Sequence, residues 1–476
     1  MDDRRMSPAL FTERELREIP DTRLIGDRVQ IGDVCIDSRR CGRGSLFVAL
    51  PGTNTDGHAF LEDAVSKGAA GCVVRESEYI TGSERFDRLR RNRRTVFLVA
   101  EDPLKALQGL ARLHMRRLER TVTVGITGSS GKTTTKEILG AVLGAQYPTA
   151  MSVGNLNSEI GLPLATFAVR PRHRYAVFEM GINHPGEMDL LAGIVRPRFA
   201  VVTNIGSAHV GPMGSVEGIA KEKRKIFTFF RFDGAGFIHE SEPWRETLIA
   251  GYSGEFVRFG RRSIPGLTQV VDRGLRGWEI EYCGMTIRFP LFGEHNLRNA
   301  LCGIRVGAYL GVRPENIRNG LESVRPLFGR GEVVPGPITI LRDCYNANLE
   351  SMESVIAFVR GIPWDGRKIA VLGSMLEQGA AAERTHRKLG EVVGKSDFDG
   401  IFLYGREMEY ALEGASGGRA PVAGASSDFL ELRDALLGFV RPGDLVLVKG
   451  SLGMEMDRFV RAITASFPVC EEAAAC

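Results

Sequence analysis

The sequence lacks any apolar run of the ~18–20 residues needed to cross a bilayer, so no membrane insertion is expected. Its opening, MDDRRMSPAL, is not followed by an apolar core, and no secretory signal is expected. Its 8 cysteines show no C-x-x-C spacing. That argues against structural zinc or a disulfide framework and fits a reducing, cytoplasmic setting. An excess of one charge is also missing. The 62 basic and 58 acidic residues leave a net charge of +4, which gives no case for nucleic acid or a membrane surface. The densest basic run, residues 85–94 (RFDRLRRNRR), reads as a solvated loop. There is no internal repeat, and no G-x-G-x-x-G to mark a dinucleotide site. At 476 residues the chain has room for about three domains.

What is present is organised around residues 121–137, TVTVGITGSSGKTTTKE. Alternating β-branched residues over 121–126 predict a buried strand. Gly128, Ser129, Ser130 and Gly131 follow, and Lys132, Thr133 and Thr134 open a helical pattern that runs to about Leu143. Strand, glycine-rich turn and helix with Lys-Thr at its start is phosphate-binding chemistry. The glycines let backbone N–H groups turn inward, and the helix N-terminus adds partial positive charge. Lys132 neutralises a phosphate oxygen, and a threonine hydroxyl binds Mg²⁺. The spacing departs from G-x-x-x-x-G-K-[ST], because Ile126 stands where the first glycine belongs.

Elsewhere the pattern is α/β. Residues 1–99 read as a small α/β domain, 100–325 as a central nucleotide-binding domain and 326–476 as a C-terminal doubly wound, Rossmann-like unit. In the first, Ser38 and Arg39 hold a phosphate or carboxylate, or form an ordinary surface turn. In the second, the cluster Asn155, Asn157 and Ser158 is a ligand loop or a helix cap. Glu179 ends one predicted strand, and His209 lies in the loop after another. Ligands gather at the carboxyl ends of such strands, so both are expected beside the phosphate loop. Residues 215–230 (SVEGIAKEKRKIFTFF) predict one helix of mixed charge carrying Lys221, Lys223 and Lys225. Residues 269–292 alternate as antiparallel strands, and 293–312 predict a helix with Asn296 and Asn299 on one face. Those amides read an adenine edge or cap the helix. In the third unit, Asp343, Asn346, Asn348 and Lys449 lie at predicted strand ends, and the final EEAAAC reads as a frayed tail.

Together these motifs resemble the Mur ligases, and within them the members that add D-alanyl-D-alanine. The resemblance spans nearly the whole chain. It is carried by DSRR, GSLFVALPG and DGHAF, then by TGSSGKTTTKE, GNLNSEIGLPL, FEMGINHPGEM, TNIGSAHV, AKEKRKIF and GEHNLRNA. In the third unit GRGEVV, DCYNANLESM, VLGSMLEQG and VLVKGS carry it. It implies a cytoplasmic, monomeric ligase that uses ATP and Mg²⁺ to join UDP-MurNAc-tripeptide to D-Ala-D-Ala through an acyl phosphate. Lys132 would hold the β/γ-phosphates. Thr133, Glu179, His209 and a CO₂-carbamylated Lys223 would hold metal, with Lys221 the alternative. Asn296 and Asn299 match an adenine-contacting pair, and Arg330 and Asp343 match residues that reach the nucleotide on closure. Asn346, Asn348 and Lys449 would lie near the dipeptide or phosphate, and Ser38 and Arg39 near the uridine diphosphate.

Four residues depart from that pattern, all in the third unit: Ser374, Gln378, Leu452 and Cys344. They bear on the amine-donor side rather than on ATP. The Asp-Asn-Pro-Arg motif of the diaminopimelate- or lysine-adding relatives is absent. A sibling ligase, a folylpolyglutamate synthase and a nucleotide-gated binding protein without ligation remain as alternatives. DSRR and GSLFVALPG argue against the second.

Overall fold

In the computed structural model, which describes residues 9–52, 55–206, 210–230 and 233–468, the predicted phosphate-loop strand runs Val122–Thr127 with every residue buried. It sits inside a six-stranded parallel sheet. The order is Glu255–Phe259, Ala235–His239, Phe199–Val202, Val122–Thr127, Tyr175–Glu179, Thr149–Met151. One neighbour of Val122–Thr127 leads the sheet outward in one direction and the other neighbour leads it the opposite way. A parallel sheet opens a crevice at such a reversal, outside the strands' carboxyl ends. That is where the phosphate loop, Glu179 and the loop after Val202 all emerge. Apolar side chains cover both faces. Val124 and Ile126 pack with Phe237, Leu139 and Leu301 on one side, while Phe178, Ala200 and Val202 join a second cluster on the other. Each of the buried Val, Ile, Leu and Phe side chains contributes about 1.5–3 kcal/mol.

Helix Lys132–Gly144 carries the phosphate loop's lysine and threonines. Helix Glu294–Tyr309 crosses it closely, since a Cβ at Gly303 would lie 2.4 Å from Ile138. This contact brings Asn296 and Asn299 over the loop. The alternation at 269–292 becomes a three-stranded antiparallel sheet, Leu267–Asp272, Trp278–Tyr282 and Met285–Phe289.

The N-terminal sheet has the order Thr22–Ile25, Val96–Ala100, Gly71–Arg75, Ser45–Val48, Asp33–Cys35, parallel except for its first pair. Here one expectation is corrected. The basic run at 85–94 is not a loop but most of helix Ser83–Arg93. Phe86 and Leu89, three apart, are buried, and Phe86 meets Phe97 edge-on at 5.0 Å. Two apolar anchors on one face suffice to dock a helix whose other faces are charged.

The third sheet is doubly wound, ordered Glu332–Val334, Thr339–Asp343, Leu445–Lys449, Lys368–Gly373, Gly400–Tyr404, Val422–Ser426. Only its first pair is antiparallel. Asp343 and Lys449 end adjacent strands in register. The single helix expected at 215–230 is instead helix Val216–Lys223 followed by a 3₁₀ turn, Arg224–Phe227, which tightens the backbone where Ile226 and Phe227 enter the core. No helix of the described residues is long and apolar enough to cross a membrane. The tail EEAAAC lies outside the described residues.

Candidate active site

A cavity of about 700 Å³ lies where the carboxyl ends of the central and third sheets face each other. The phosphate loop forms one wall. Gly128 has φ +153° and Gly131 φ +78°, conformations that side-chain-bearing residues rarely adopt. Space excludes a side chain as well. A Cβ on Gly128 would lie 1.8 Å from Thr203 Oγ1, and one on Gly131 would lie 2.8 Å from Asn299 Oδ1.

The loop is held by the segment after Val202. Asn204 Oδ1 accepts from the Ser130 amide at 2.9 Å, and Asn204 Nδ2 donates to Ser130 Oγ at 2.7 Å. Thr203 Oγ1 donates to the Ser130 carbonyl at 2.6 Å. Ser129 Oγ accepts from the Gly206 amide at 2.8 Å. Thr203 and Asn204 stood inside a quoted motif, yet nothing in their spacing marked them as the loop's scaffold.

Lys132 Nζ folds back to the Gly128 carbonyl at 2.9 Å. Its side chain opens onto the cavity, yet it sits deep enough that desolvation holds its pKa below the usual lysine value. Glu179 opposes that shift and Arg330 adds to it. Thr133 and Thr134 line the same wall. Glu179 is 3% exposed. Its Oε1 accepts from Asn157 Nδ2 at 2.7 Å, while its Oε2 is buried with no hydrogen-bond partner among the described residues. A buried, half-satisfied carboxylate opposite a threonine hydroxyl and a phosphate loop is a donor set that fits a hard divalent cation. Among the described residues no three acids, histidines or cysteines cluster to hold a metal by themselves. His209 lies outside the described residues.

Asn155, Asn157 and Ser158 all line the cavity. Ser158 Oγ also accepts from the amide of Gly161, the first residue of the helix Gly161–Thr166, at 3.2 Å, although the N-cap position itself is Ile160. Behind the cluster is a residue that local pattern did not flag. Lys136 is 0% exposed, and its Nζ donates to the Gly154 carbonyl at 2.9 Å and contacts Glu137 Oε1 at 3.0 Å.

Asn296 and Asn299 are buried in the cavity wall. Asn296 Nδ2 donates to the Phe292 carbonyl at 2.8 Å, and Asn299 Oδ1 accepts from Thr135 Oγ1 at 3.2 Å. From the third sheet come Arg330, Asp343, Asn346, Asn348 and Lys449. Lys449, 2% exposed, donates to Asp343 Oδ2 at 2.6 Å and to the Asn346 carbonyl at 3.1 Å. The Arg330 guanidinium stacks over Tyr345 at 3.9 Å. Asn348 caps the helix Leu349–Gly361 by accepting from the Ser351 amide at 2.9 Å. Tyr345, His295 and Arg298 also line the cavity and had not been singled out.

Four expected site residues stand apart, Lys221 among them as the alternative to Lys223. Lys223 is 1% exposed and does not line the cavity, although the positive charge of Lys132 acts on it. Burial, with that charge, holds its pKa well below the usual lysine value. Lys221, the alternative, points to solvent and pairs with Glu217 at 2.7 Å. Ser38 and Arg39 form a 3₁₀ turn of the first sheet, outside the cavity lining. Arg39 grips Asp37 with Nε at 2.9 Å and Nη2 at 2.9 Å.

Comparison with known proteins agrees with this architecture. The family description "Mur ligase family, catalytic domain" matches residues 30–114, "Mur ligase middle domain" matches 126–307, and "Mur ligase, glutamate ligase domain" matches 329–452. The UDP-N-acetylmuramoyl-tripeptide–D-alanyl-D-alanine ligase of Treponema pallidum is 38% identical over 89% of this chain and 92% of its own. The enzyme of that name from Bacillus subtilis is 34% identical over 92% of this chain and 94% of its own. Among solved structures, MurF from Acinetobacter baumannii superposes with a TM-score of 0.85 at 28% identity, covering 97% of this chain and 99% of its own. MurF ligase from Thermotoga maritima in complex with ADP gives 0.76 at 27% identity, covering 91% of this chain and 97% of its own. With three family descriptions laid end to end along it and relatives this similar over nearly its full length, the chain belongs to the Mur ligase family.

Proposed function

We propose that this protein is an ATP-dependent ligase that joins the terminal carboxylate of UDP-MurNAc-tripeptide to the amine of D-Ala-D-Ala. The observation that carries the reading is the shared cavity. A phosphate loop on one sheet and a lysine–aspartate–asparagine cluster on another face a single space of about 700 Å³, a size that suits an enclosed ligand. The likeness to ligases of that name supports the substrate pair, and the ADP complex of a similar protein supports the nucleotide.

The tripeptide carboxylate attacks the γ-phosphorus of ATP, and ADP leaves. The resulting acyl phosphate is attacked by the dipeptide amine, the tetrahedral intermediate loses phosphate, and the amide remains. Lys132 and the amides of residues 128–131 hold the β- and γ-phosphates, and a bound phosphate opposes the desolvation that lowers the lysine's pKa. Asn296 and Asn299 border the base, and Arg330 and Asp343 reach the nucleotide from the third sheet. Asn155, Asn157, Ser158, Asn346, Asn348 and Lys449 surround the reacting ends. Ser38 and Arg39 receive the uridine diphosphate, with Arg39 exchanging Asp37 for a phosphate. Enclosure between two sheets keeps water from the acyl phosphate. Units 1–99, 100–325 and 326–476 divide this work within a cytoplasmic monomer.

Thr133, Glu179, His209 and a modified Lys223 would hold Mg²⁺, which supplies charge neutralisation for the transferring phosphoryl group. Lys223 suits modification because burial, with the charge of Lys132, lowers its pKa and so favours the neutral amine. A neutral amine adds to CO₂, forming an N–C bond and releasing one proton, and so becomes an anionic carboxylate-like group.

The test is phosphate release from ATP with Mg²⁺ and UDP-MurNAc-tripeptide, with and without D-Ala-D-Ala. Release that needs both substrates, with a pentapeptide product by mass, is expected. Release supported by a single amino acid moves the chain to a sibling ligase. Tight ATP binding without release refutes ligation.

A further inference from the structure

Two thiols meet beside the substrate turn of the first sheet. Cys35 ends the strand Asp33–Cys35, and Cys41 follows the 3₁₀ turn Ser38–Arg40. Their sulfurs lie 3.1 Å apart, and both are free thiols. The six-residue separation is not a C-x-x-C pattern, so local spacing gave no sign of the pair. The two differ in surroundings. Cys35 is buried at 7% exposure, whereas Cys41 is half-buried and open to solvent. The two thiols are within hydrogen-bonding distance of each other, and the positive charge of Lys67, paired with Asp63 at 2.7 Å, acts on Cys41. Both effects lower the Cys41 pKa, against desolvation and the carboxylates of Asp63 and Asp33. Its partner Cys35 is pushed up. A partly exposed thiol of lowered pKa against a buried resolving thiol is the arrangement of a peroxide-reactive pair.

We propose that Cys35 and Cys41 form a reversible disulfide on exposure to peroxide, closing a ring around the Ser38–Arg40 turn. The Cys41 thiolate attacks one peroxide oxygen. The O–O bond breaks, a sulfenic acid forms, and hydroxide leaves and takes up the proton lost from Cys41. The Cys35 sulfur then attacks the Cys41 sulfur, the S–O bond breaks, and the second water leaves with the Cys35 proton. Two thiols and one peroxide become one disulfide and two waters. Bond formation draws the sulfurs about 1 Å closer. That pulls on the five residues between them, among them Ser38, which contacts Asp63, and Arg39, which grips Asp37. The consequence for substrate rests on the reading that this turn receives the uridine diphosphate. Oxidation then weakens binding of the nucleotide-sugar substrate and leaves ATP binding alone, because the phosphate loop stands on another sheet.

The experiment treats the full chain, and its Cys41→Ser and Cys35→Ser variants, with a small molar excess of hydrogen peroxide. Intact mass, peptide mapping and calorimetry with UDP-MurNAc-tripeptide and with ATP are then read. Expected for the wild type are loss of two hydrogens, a peptide cross-linked between Cys35 and Cys41, and reversal by dithiothreitol. Neither variant gives that cross-link, and unoxidised Cys41→Ser binds substrate as the wild type does. Affinity for UDP-MurNAc-tripeptide falls several-fold on oxidation while ATP affinity holds. Absence of the cross-link, or over-oxidation of Cys41 without it, overturns the disulfide. A cross-link that leaves affinity for the nucleotide sugar unchanged overturns its link to the substrate turn. The cross-link is scored whether or not the protein ligates, so failure of the ligase reading is visible separately.

Discussion

Lys136→Met separates positioning from stability. The substitution keeps most of the side-chain stem and removes the ammonium, and with it the contacts to the Gly154 carbonyl at 2.9 Å and Glu137 Oε1 at 3.0 Å. Hydrogen bonds to a charged group are worth about 1.5–3 kcal/mol each. Burying the ammonium costs several kcal/mol, so the two effects largely offset. Neither partner is stranded, because the Glu137 side chain keeps 23% exposure and Gly154 is exposed. Global stability therefore changes by about 1 kcal/mol, a shift of about 2–4 °C in Tm. The loop fares differently. Lys136 ties the phosphate-loop helix to residues 154–158, and Asn157 in that loop orients Glu179 at 2.7 Å. On the proposed metal role of Glu179, Asn157 is the group directly behind it, and loss of such a support typically costs about 10–100-fold in activity; loosening the loop that carries Asn157 is expected to act through the same contact. The expected result is kcat/KM down by that factor with KM for D-Ala-D-Ala unchanged. In the ligand-free protein, amides of the loop peptide should exchange faster. A kcat/KM within about twofold of wild type, with unchanged loop exchange, would refute the coupling.

Gly128→Ala places a methyl 1.8 Å from Thr203 Oγ1 at φ +153°. ATP affinity should fall at least about tenfold in a folded protein, read by calorimetry beside circular dichroism. Lys223→Ala should lose roughly 100-fold or more of ligase activity and regain part of it in millimolar formate; wild-type activity without added carboxylate would sink the carbamate. His114 is buried and donates Nε2–H to the Val169 carbonyl at 3.0 Å, and burial pushes its pKa down to about 4. Between pH 4 and its unfolded value of about 6.5, the unfolded chain binds the extra proton. Stability is therefore full above that window and falls through it on acidification, by on the order of 3 kcal/mol. Urea midpoints at pH 7 and 5 should differ less in His114→Gln than in the wild type; equal differences would count against the assignment.

The parts of the fold written in local pattern were legible. The phosphate loop, its strand and helix, and the strand Gly400–Tyr404 fall where alternation and glycine placement set them. So did the convergence of Glu179 with the loop, since strand ends in a parallel sheet share one edge. Contacts made across sequence distance were not legible. Asn204 braces Ser130 from 74 residues away, and Lys136 reaches Gly154 from another element. The helix Ser83–Arg93 was hidden because two apolar residues in an 11-residue, mostly charged stretch leave a weak periodic signal. Asn348 shows a further limit, since a cap and a ligand contact demand the same residue type and only geometry separates them.

The third-unit departures look different once placed. Ser374, Gln378, Leu452 and Cys344 do not line the cavity, whereas Asp343, Asn346, Asn348 and Lys449 do. Leu452 is 57% exposed on the turn Leu452–Met454. Cys344 is buried at 4% exposure, and its sulfur would sit 3.2 Å from a Cβ at Gly329, beneath the turn that carries Arg330. A thiol tolerates that apolar position better than a hydroxyl, whose burial without a partner costs about 1–3 kcal/mol. Cys344 thus packs behind the turn whose Arg330 stacks over Tyr345 at 3.9 Å. Asn346, Asn348 and Lys449, proposed above to surround the reacting ends, do line the cavity, so a change of donor is expected to be written there rather than at the four departures.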